Sequence, residues 1–298
     1  MDVELPKRPF TAREASALGL SRHRLAEAVR NREVRRLLTG VFVSSDVDET
    51  PEIRAQAACL VISPHAVVCD ELAAWIHGVD AFRYSVGDLG VPITTYVLRG
   101  HPPTNRPQVK GGTRDLLPED WTIIGGVRVT TPLRTALDLG CKLSRRRALA
   151  AMDALMRETG FTAAEAKRLL RRYRRRRGVV QLRALLPLVD PRAESARESW
   201  MRLAIIDHGL PIPQPQWWIK VSGVPTYRLD LAYPFARIAV EYNGEEFHTG
   251  AEAESSDEER LEWLTRHGWT VIVVTKENFD DGLVPSWLRE LAEALRAA

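Results

Sequence analysis

The sequence predicts a mixed α/β (α+β) protein in three parts. Three patterns carry that expectation: a helix–turn–helix–hairpin outline at the front, a strand-to-helix run in the middle, and a helix, three strands, helix and strand at the back. The expected parts span residues 1–48, 49–188 and 189–298. A chain of 298 residues is long enough for two or three domains, and its 45% hydrophobic content supplies ordinary cores. The net charge of +3 matters less than its uneven distribution along the chain.

At the front, Thr11-Ala-Arg-Glu14 has capping-box spacing and opens a helix through Ala17 that stops at Gly19. Ser21 caps a second helix to about Arg30, with Leu25, Ala28 and Val29 inward and Arg22, Arg24 and Arg30 outward. Val34-Arg-Arg-Leu-Leu-Thr-Gly-Val-Phe-Val43 reads as two apolar strands around Thr39-Gly40. Together these outline a winged helix-turn-helix, whose second helix would enter the major groove of double-stranded DNA. Arg35 and Arg36 on the first hairpin strand join the helix arginines as candidate DNA contacts. Residues 1–45 carry nine Lys or Arg against five acids, which is compatible with such a partner.

In the middle, Gly125-Gly-Val-Arg-Val-Thr-Thr-Pro-Leu-Arg-Thr-Ala-Leu-Asp-Leu139 reads as a strand that stops at Pro132 and a helix that starts there. His65, His77 and His101 are scattered without ligand spacing and are read as structural. Residues 142–183 hold fourteen Lys or Arg and three acids, including Arg171-Arg-Tyr-Arg-Arg-Arg-Arg177. Arg174, Arg175, Arg176 and Arg177 are therefore candidate contacts to a phosphate backbone. The alternative is a solvated face balancing residues 241–262, where nine acids stand against Arg260 alone.

The last third begins with a helix from Glu194, its apolar positions Trp200, Met201, Leu203, Ala204 and Ile205, stopped by Gly209 and Pro211. Gln214–Val221 reads as a strand closing through Ser222-Gly223. A hairpin turning at Phe235-Ala236 pairs residues whose numbers sum to 471, so Asp230 faces Glu241 and Arg228 faces Asn243. Like charges opposite each other destabilise a sheet, so this pair calls for a cation between the acids or a proton on one. A divalent metal is the simplest occupant. Arg228 and Arg237 offer the alternative of an ordinary salt-bridge cluster. Ala251–His267 then reads as a helix, and Thr270-Val-Ile-Val-Val-Thr275 as a fully apolar, buried strand.

The αβββαβ order, with an acid on the second strand and Glu241-x-Asn243 on the third, resembles the restriction-endonuclease-like PD-(D/E)xK fold. Glu198-Ser-x-x-x-Leu-Ala, Arg228-x-Asp, Val240-Glu-Tyr-Asn-Gly and Glu246-Phe-His look like bacterial proteins related to very-short-patch-repair endonucleases, over roughly residues 190–298. That resemblance implies Mg²⁺ (or Mn²⁺) held by Asp230 and Glu241, Glu198 as a candidate third ligand, and His248 as general acid or base. Asn243 stands where the family signature has a lysine, with Lys276 or Arg228 as substitute cations. Residues 5–185, through His65-Ala-Val-Val-Cys-Asp-Glu-Leu-Ala-Ala-Trp-Ile-His-Gly78 and the Thr130-Thr-Pro-Leu-Arg-Thr-Ala-Leu-Asp-Leu139 run, resemble the AbiEi-type antitoxin and regulator family. That second resemblance implies operator DNA and a cognate toxin as partners.

Two functions follow. One is a metal-dependent endonuclease that hydrolyses DNA phosphodiester bonds through Glu198, Asp230, Glu241, Asn243 and His248. The other is a transcriptional regulator or antitoxin that keeps the nuclease fold as a scaffold. The intact acids favour the first; Asn243 and the antitoxin-like front favour the second. No signal peptide and no apolar run of membrane-spanning length are read, and Cys59, Cys69 and Cys141 show no metal spacing, so a cytoplasmic protein is expected.

Overall fold

Thr11 starts the first helix because its hydroxyl accepts the Glu14 N–H while the Glu14 carboxylate accepts the Thr11 N–H, satisfying two orphan donors at once. In the computed structural model, which describes residues 5–79, 93–98, 100–102, 109–243, 251–280 and 282–298, helix α1 is Ala12–Ala17 and α2, capped by Ser21, is Arg22–Arg30. Side chains of 251–258 are outside the description. Strands β1 (Phe10–Thr11), β2 (Val34–Leu38) and β3 (Val41–Ser44) form an antiparallel sheet in the order β1-β3-β2. Gly40, at φ +77°, turns the hairpin.

The alternation of β3 and the register shift between Arg36 and Leu38 of β2 serve two cores. Val34 and Phe42 pack with Phe10, Ala15, Leu25 and Ala28, whereas Leu38, Val41 and Val43 pack with Ala55, Ala58, Leu72, Trp75 and Ile76. The second core belongs to α3 (Pro51–Cys59), α4 (Asp70–Ile76) and a mixed five-stranded sheet of β4 (Ala66–Val68), β5 (Ile93–Val97), β6 (Val109–Thr113), β7 (Trp121–Ile124) and β8 (Val127–Thr130), ordered β6-β5-β4-β8-β7. Beyond Thr131, α5 (Pro132–Lys142) starts with proline at its first position, as the sequence predicts. Helices α6 (Arg145–Thr159), α7 (Ala163–Leu170) and α8 (Val179–Leu185) follow. Residues Met1–Val189 make one compact unit and Asp190–Ala298 a second.

In the second unit, α9 (Ala196–Asp207) precedes the meander β9 (Gln214–Val221), β10 (Val224–Tyr233) and β11 (Ile238–Tyr242). Next come α10 (Ala251–Arg266), β12 (Thr270–Val274) and α11 (Ser286–Ala297). The sheet runs β12-β11-β10-β9, antiparallel except for the parallel β11–β12 pair. Leu231 pairs with Val240, Ala232 with Ala239 and Tyr233 with Ile238, the register expected from the hairpin. One face packs Leu231, Val240 and Ile272 with Met201 and Ile205 of α9 and Trp287 and Leu291 of α11; the other packs Ala232 and Ala239 with Leu264 of α10. Strand β12 departs from expectation. Among the described residues it lies at a sheet edge with a strand on one side only, and Thr270 and Val273 are exposed although the strand is almost wholly apolar.

Candidate functional site

On α2, burial of Leu25 and Ala28 turns Arg22, Arg24 and Arg30 into solvent. Arg36 is also exposed, its guanidinium 5.8 Å from the Phe42 ring. Arg35 differs from these. It donates to a Glu49 carboxylate oxygen at 3.0 Å and to the Val47 carbonyl at 2.5 Å, so its charge is already satisfied within the fold.

The arginine run of the middle region divides in a way its sequence does not reveal. Arg174 and Arg175 are exposed. Arg176 lies over the Tyr173 ring at 4.6 Å and donates to Asp138 Oδ1 at 3.2 Å. Asp138 also accepts from Tyr173 Oη at 2.7 Å, Arg114 at 2.7 Å and Arg134 Nε at 2.9 Å. Arg134, only 1% exposed, reaches Asp120 at 2.8 Å, and Arg172 grips both oxygens of Asp120 at 2.9 and 2.6 Å. Arg114 and Lys142 meet again on Asp70. Burial by itself would raise the Asp120 carboxyl, but hydrogen bonds from Arg172 and the Leu117 N–H, with the charge of Arg134, hold it below its ordinary value. Sequence reasoning misses this network. Its one visible signal is Arg134 and Asp138, four apart on one helix.

The same side holds a cavity of about 550 Å³, lined by Tyr96, Arg114, Asp138, Cys141, Lys142, Tyr173, Arg176 and Arg177. Burial pushes the Cys141 thiol up to about 11, which leaves it a poor nucleophile near neutrality. His77 Nε2 lies 2.7 Å from the Thr130 carbonyl, and burial lowers its pKa. His65 and His101, far apart in sequence, stack with ring centroids 4.4 Å apart.

In the second unit, residue parity places Asp230 and Glu241 with Ala232 and Ala239 on the α10 face of the sheet. Glu241 is buried, and Arg260 of α10 donates to both of its oxygens, at 2.9 and 2.8 Å. Asp230 accepts the Tyr242 N–H at 3.0 Å, and its carboxyl is pushed up to about 7, first by burial and then by the charge of Glu198. Both resolutions of the like-charge conflict are therefore present: a cation on one acid and a raised proton affinity on the other. Glu198 is engaged at the start of α9. Its Oε2 accepts the Glu194 N–H at 2.9 Å and Gln216 Nε2 at 2.8 Å, while Ser195 caps α9 through the Glu198 N–H. Arg228, expected as a substitute cation, is bound through both nitrogens to Glu194 at 2.7 and 2.9 Å.

Asn243 and Lys276 are exposed, and His248 lies outside the described residues. A cleft of about 220 Å³ opens among Arg228, Asp230, Glu241, Asn243 and Arg260. Both Glu241 oxygens are engaged by a guanidinium and the Asp230 carboxyl is pushed up to about 7, so a Mg²⁺ or Mn²⁺ ion held by these two acids would have to displace Arg260 and any proton on Asp230. Among the described residues no group of three or more His, Cys, Asp or Glu is arranged to hold a metal ion. Among them, too, no helix is long and apolar enough to cross a membrane.

Comparison with known proteins gives two results. Residues 66–188, from the first residue of β4 to the short helical turn after α8, match the family model of the AbiEi antitoxin C-terminal domain. The chain is also 32% identical over 264 residues to the uncharacterized protein MT2308 of Mycobacterium tuberculosis (strain CDC 1551 / Oshkosh), a match covering 87% of this chain and 92% of that protein. The uncharacterized protein Rv2248 of strain ATCC 25618 / H37Rv gives the same identity and coverage. The chain therefore belongs to one family with these mycobacterial proteins, and within it residues 66–188 match the AbiEi antitoxin C-terminal domain.

Proposed function

We propose that this protein is a DNA-binding regulator of the toxin–antitoxin type, in which the front of the first unit reads operator DNA and residues 66–188 form the antitoxin body. The observation that carries this reading is the match to an antitoxin domain directly behind a capped helix pair and hairpin that present Arg22, Arg24 and Arg30 to solvent. In this reading residues 10–44 are a winged helix-turn-helix, α2 is the recognition helix, and Arg36 flanks it on the hairpin. Arg174 and Arg175 supply sequence-independent phosphate contacts, and a cognate toxin is the protein partner. The second unit is a restriction-endonuclease-like fold kept as a scaffold, its acids neutralised from within by Arg260 and a proton.

The test is a gel-shift titration of the full chain on DNA from upstream of its own gene against a shuffled control. Arg22→Ala and Arg30→Ala should each weaken the specific complex by about 1–3 kcal/mol if they read base edges. Unchanged binding by both at matched salt removes α2 as the reading element.

A second reading, the endonuclease, is favoured by the convergence of Glu198 and Glu241 on the raised Asp230 carboxyl. It requires Arg260 to release Glu241. Supercoiled plasmid incubated with the protein and Mg²⁺ or Mn²⁺ decides it: nicking lost in Asp230→Asn supports catalysis, and intact plasmid rejects it.

A further inference from the structure

We infer that the cavity beside α5 is an anion pocket that takes the phosphate group of a nucleotide-sized phosphomonoester. Its lining brings four cations, Arg114, Lys142, Arg176 and Arg177, around one acid, Asp138, with Asp70 and Glu71 bonded to Arg114 and Lys142 behind it, an excess of four cations over three acids. They come from separate stretches of sequence, so the charge excess is a product of the fold. At about 550 Å³ the space lies within the range of small-molecule sites, roughly 300–1,000 Å³.

Three of the cations are held in place before any ligand arrives. Arg114 is 3.8 Å from the Tyr96 ring and bonded to Asp70 and Asp138 through one nitrogen, Nη1. Lys142 is fixed by Asp70 at 2.9 Å and Glu71 at 3.3 Å. Arg176 uses Nη1 on Asp138 and rests on Tyr173. The acids thus act as positioners and leave further N–H donors of each guanidinium for a ligand, which is how a preorganised anion site is built. Arg177 has no acid within ion-pair distance among the described residues, so its whole charge is available.

The backbone that carries Arg176 and Arg177 is itself constrained. Arg175 adopts φ +63°, costly for a residue with a side chain, and Gly178 adopts φ +81°. A Cβ at Gly178 would lie 2.0 Å from the Cys141 carbonyl oxygen, so only glycine lets this turn close onto the end of α5. Arg174 and Arg175 face solvent while Arg176 and Arg177 line the cavity. This inference stands apart from the operator-reading proposal, since none of its lining residues lies on α2 or the hairpin.

The test is calorimetric titration of the full chain with AMP as a nucleotide-sized phosphomonoester, inorganic phosphate as the bare anion, and adenosine as the phosphate-free control. AMP should bind saturably, phosphate should compete with it, and adenosine should not bind. Arg177→Gln should lower AMP affinity about tenfold or more, the factor carried by a charge-assisted hydrogen bond, with an unchanged melting temperature. Arg183→Gln, exposed on α8 and away from the lining, should leave AMP affinity unchanged. Absence of saturable AMP binding, equal AMP affinity in Arg177→Gln, or binding of adenosine as tight as AMP overturns the pocket. So does an Arg177→Gln effect confined to duplex DNA, which would place the cavity rim on a DNA track instead.

Discussion

Asp120 in the first unit and Asp230 in the second are both carboxylates withdrawn from water, yet their pKa values move in opposite directions. Burial alone raises any carboxyl, and it is the largest influence at both sites. The neighbours decide the outcome. Asp120 is held by two arginines, whereas Asp230 looks toward Glu198 and Glu241, and the nearby Arg260 is bonded to Glu241. The first cluster gives each of Asp70, Asp120 and Asp138 two or more cations and locks a fold; the second sets Asp230 against two other acids.

The largest test of that contrast is Arg134→Ala. It leaves Asp120 and Asp138 buried without their shared cation, and unfolding in urea should show a loss of about 3–5 kcal/mol. A loss below about 1 kcal/mol would mean that Arg172, Arg114 and Arg176 suffice. Next is Asp230→Asn, which should stabilise. The folded carboxyl titrates near 7 and an unfolded aspartate near 3.9, so between those values the folded chain holds the extra proton and wild-type stability falls as pH rises, levelling off above 7. The variant should match wild type at pH 4 and exceed it by roughly 2–4 kcal/mol at pH 8.

Asp120 works the other way. Its depressed carboxyl contributes stability that is present above the unfolded pKa and lost as the solution is acidified through the folded one. Hydrogen exchange read separately on residues 109–185 and 196–242 should therefore show the first segment loosening in acid and the second loosening as pH climbs towards 7.

Ser195→Ala is a smaller change. Removing the α9 cap should cost about 1 kcal/mol, with the weakened protection confined to the second unit. Smallest in energy is the pair Arg174→Gln and Arg175→Gln. Together they should flatten the slope of log DNA affinity against log salt by roughly 0.9 for each phosphate no longer neutralised, while sequence preference survives. An unchanged slope would make these two arginines plain surface charge.

Elements with local causes were legible in the sequence: the Thr11 and Ser21 caps, the Thr39-Gly40 turn, the start of α5 at Pro132, and the register that sets Leu231 against Val240. Each depends on residues at most about ten positions apart. The functional sites were less legible because their partners are distant. No local pattern ties Arg260 to Glu241, or shows that Arg35 is used by Glu49 and Arg228 by Glu194. Strand β12 is misjudged from sequence for a related reason: composition reports that a strand is apolar, while sheet order decides whether it has neighbours on both sides. The Ser195 cap is the exception, since Ser195-x-x-Glu198 has capping spacing of its own and was open to local reasoning.

The ion network of the first unit also bears on how quickly the chain can reach its native state. Its bonds span long stretches: Lys142 to Asp70 across 72 residues, Arg172 to Asp120 across 52, and Arg114 to Asp70 across 44. None can form until the strands between them are in place, so loop-closure entropy must be met by hydrophobic contacts first. Bonds of this span should therefore form late, after the rate-limiting step, and act chiefly by slowing unfolding. A chain lacking Arg172, whose bonds to Asp120 span 52 residues, should fold about as fast as wild type and come apart sooner.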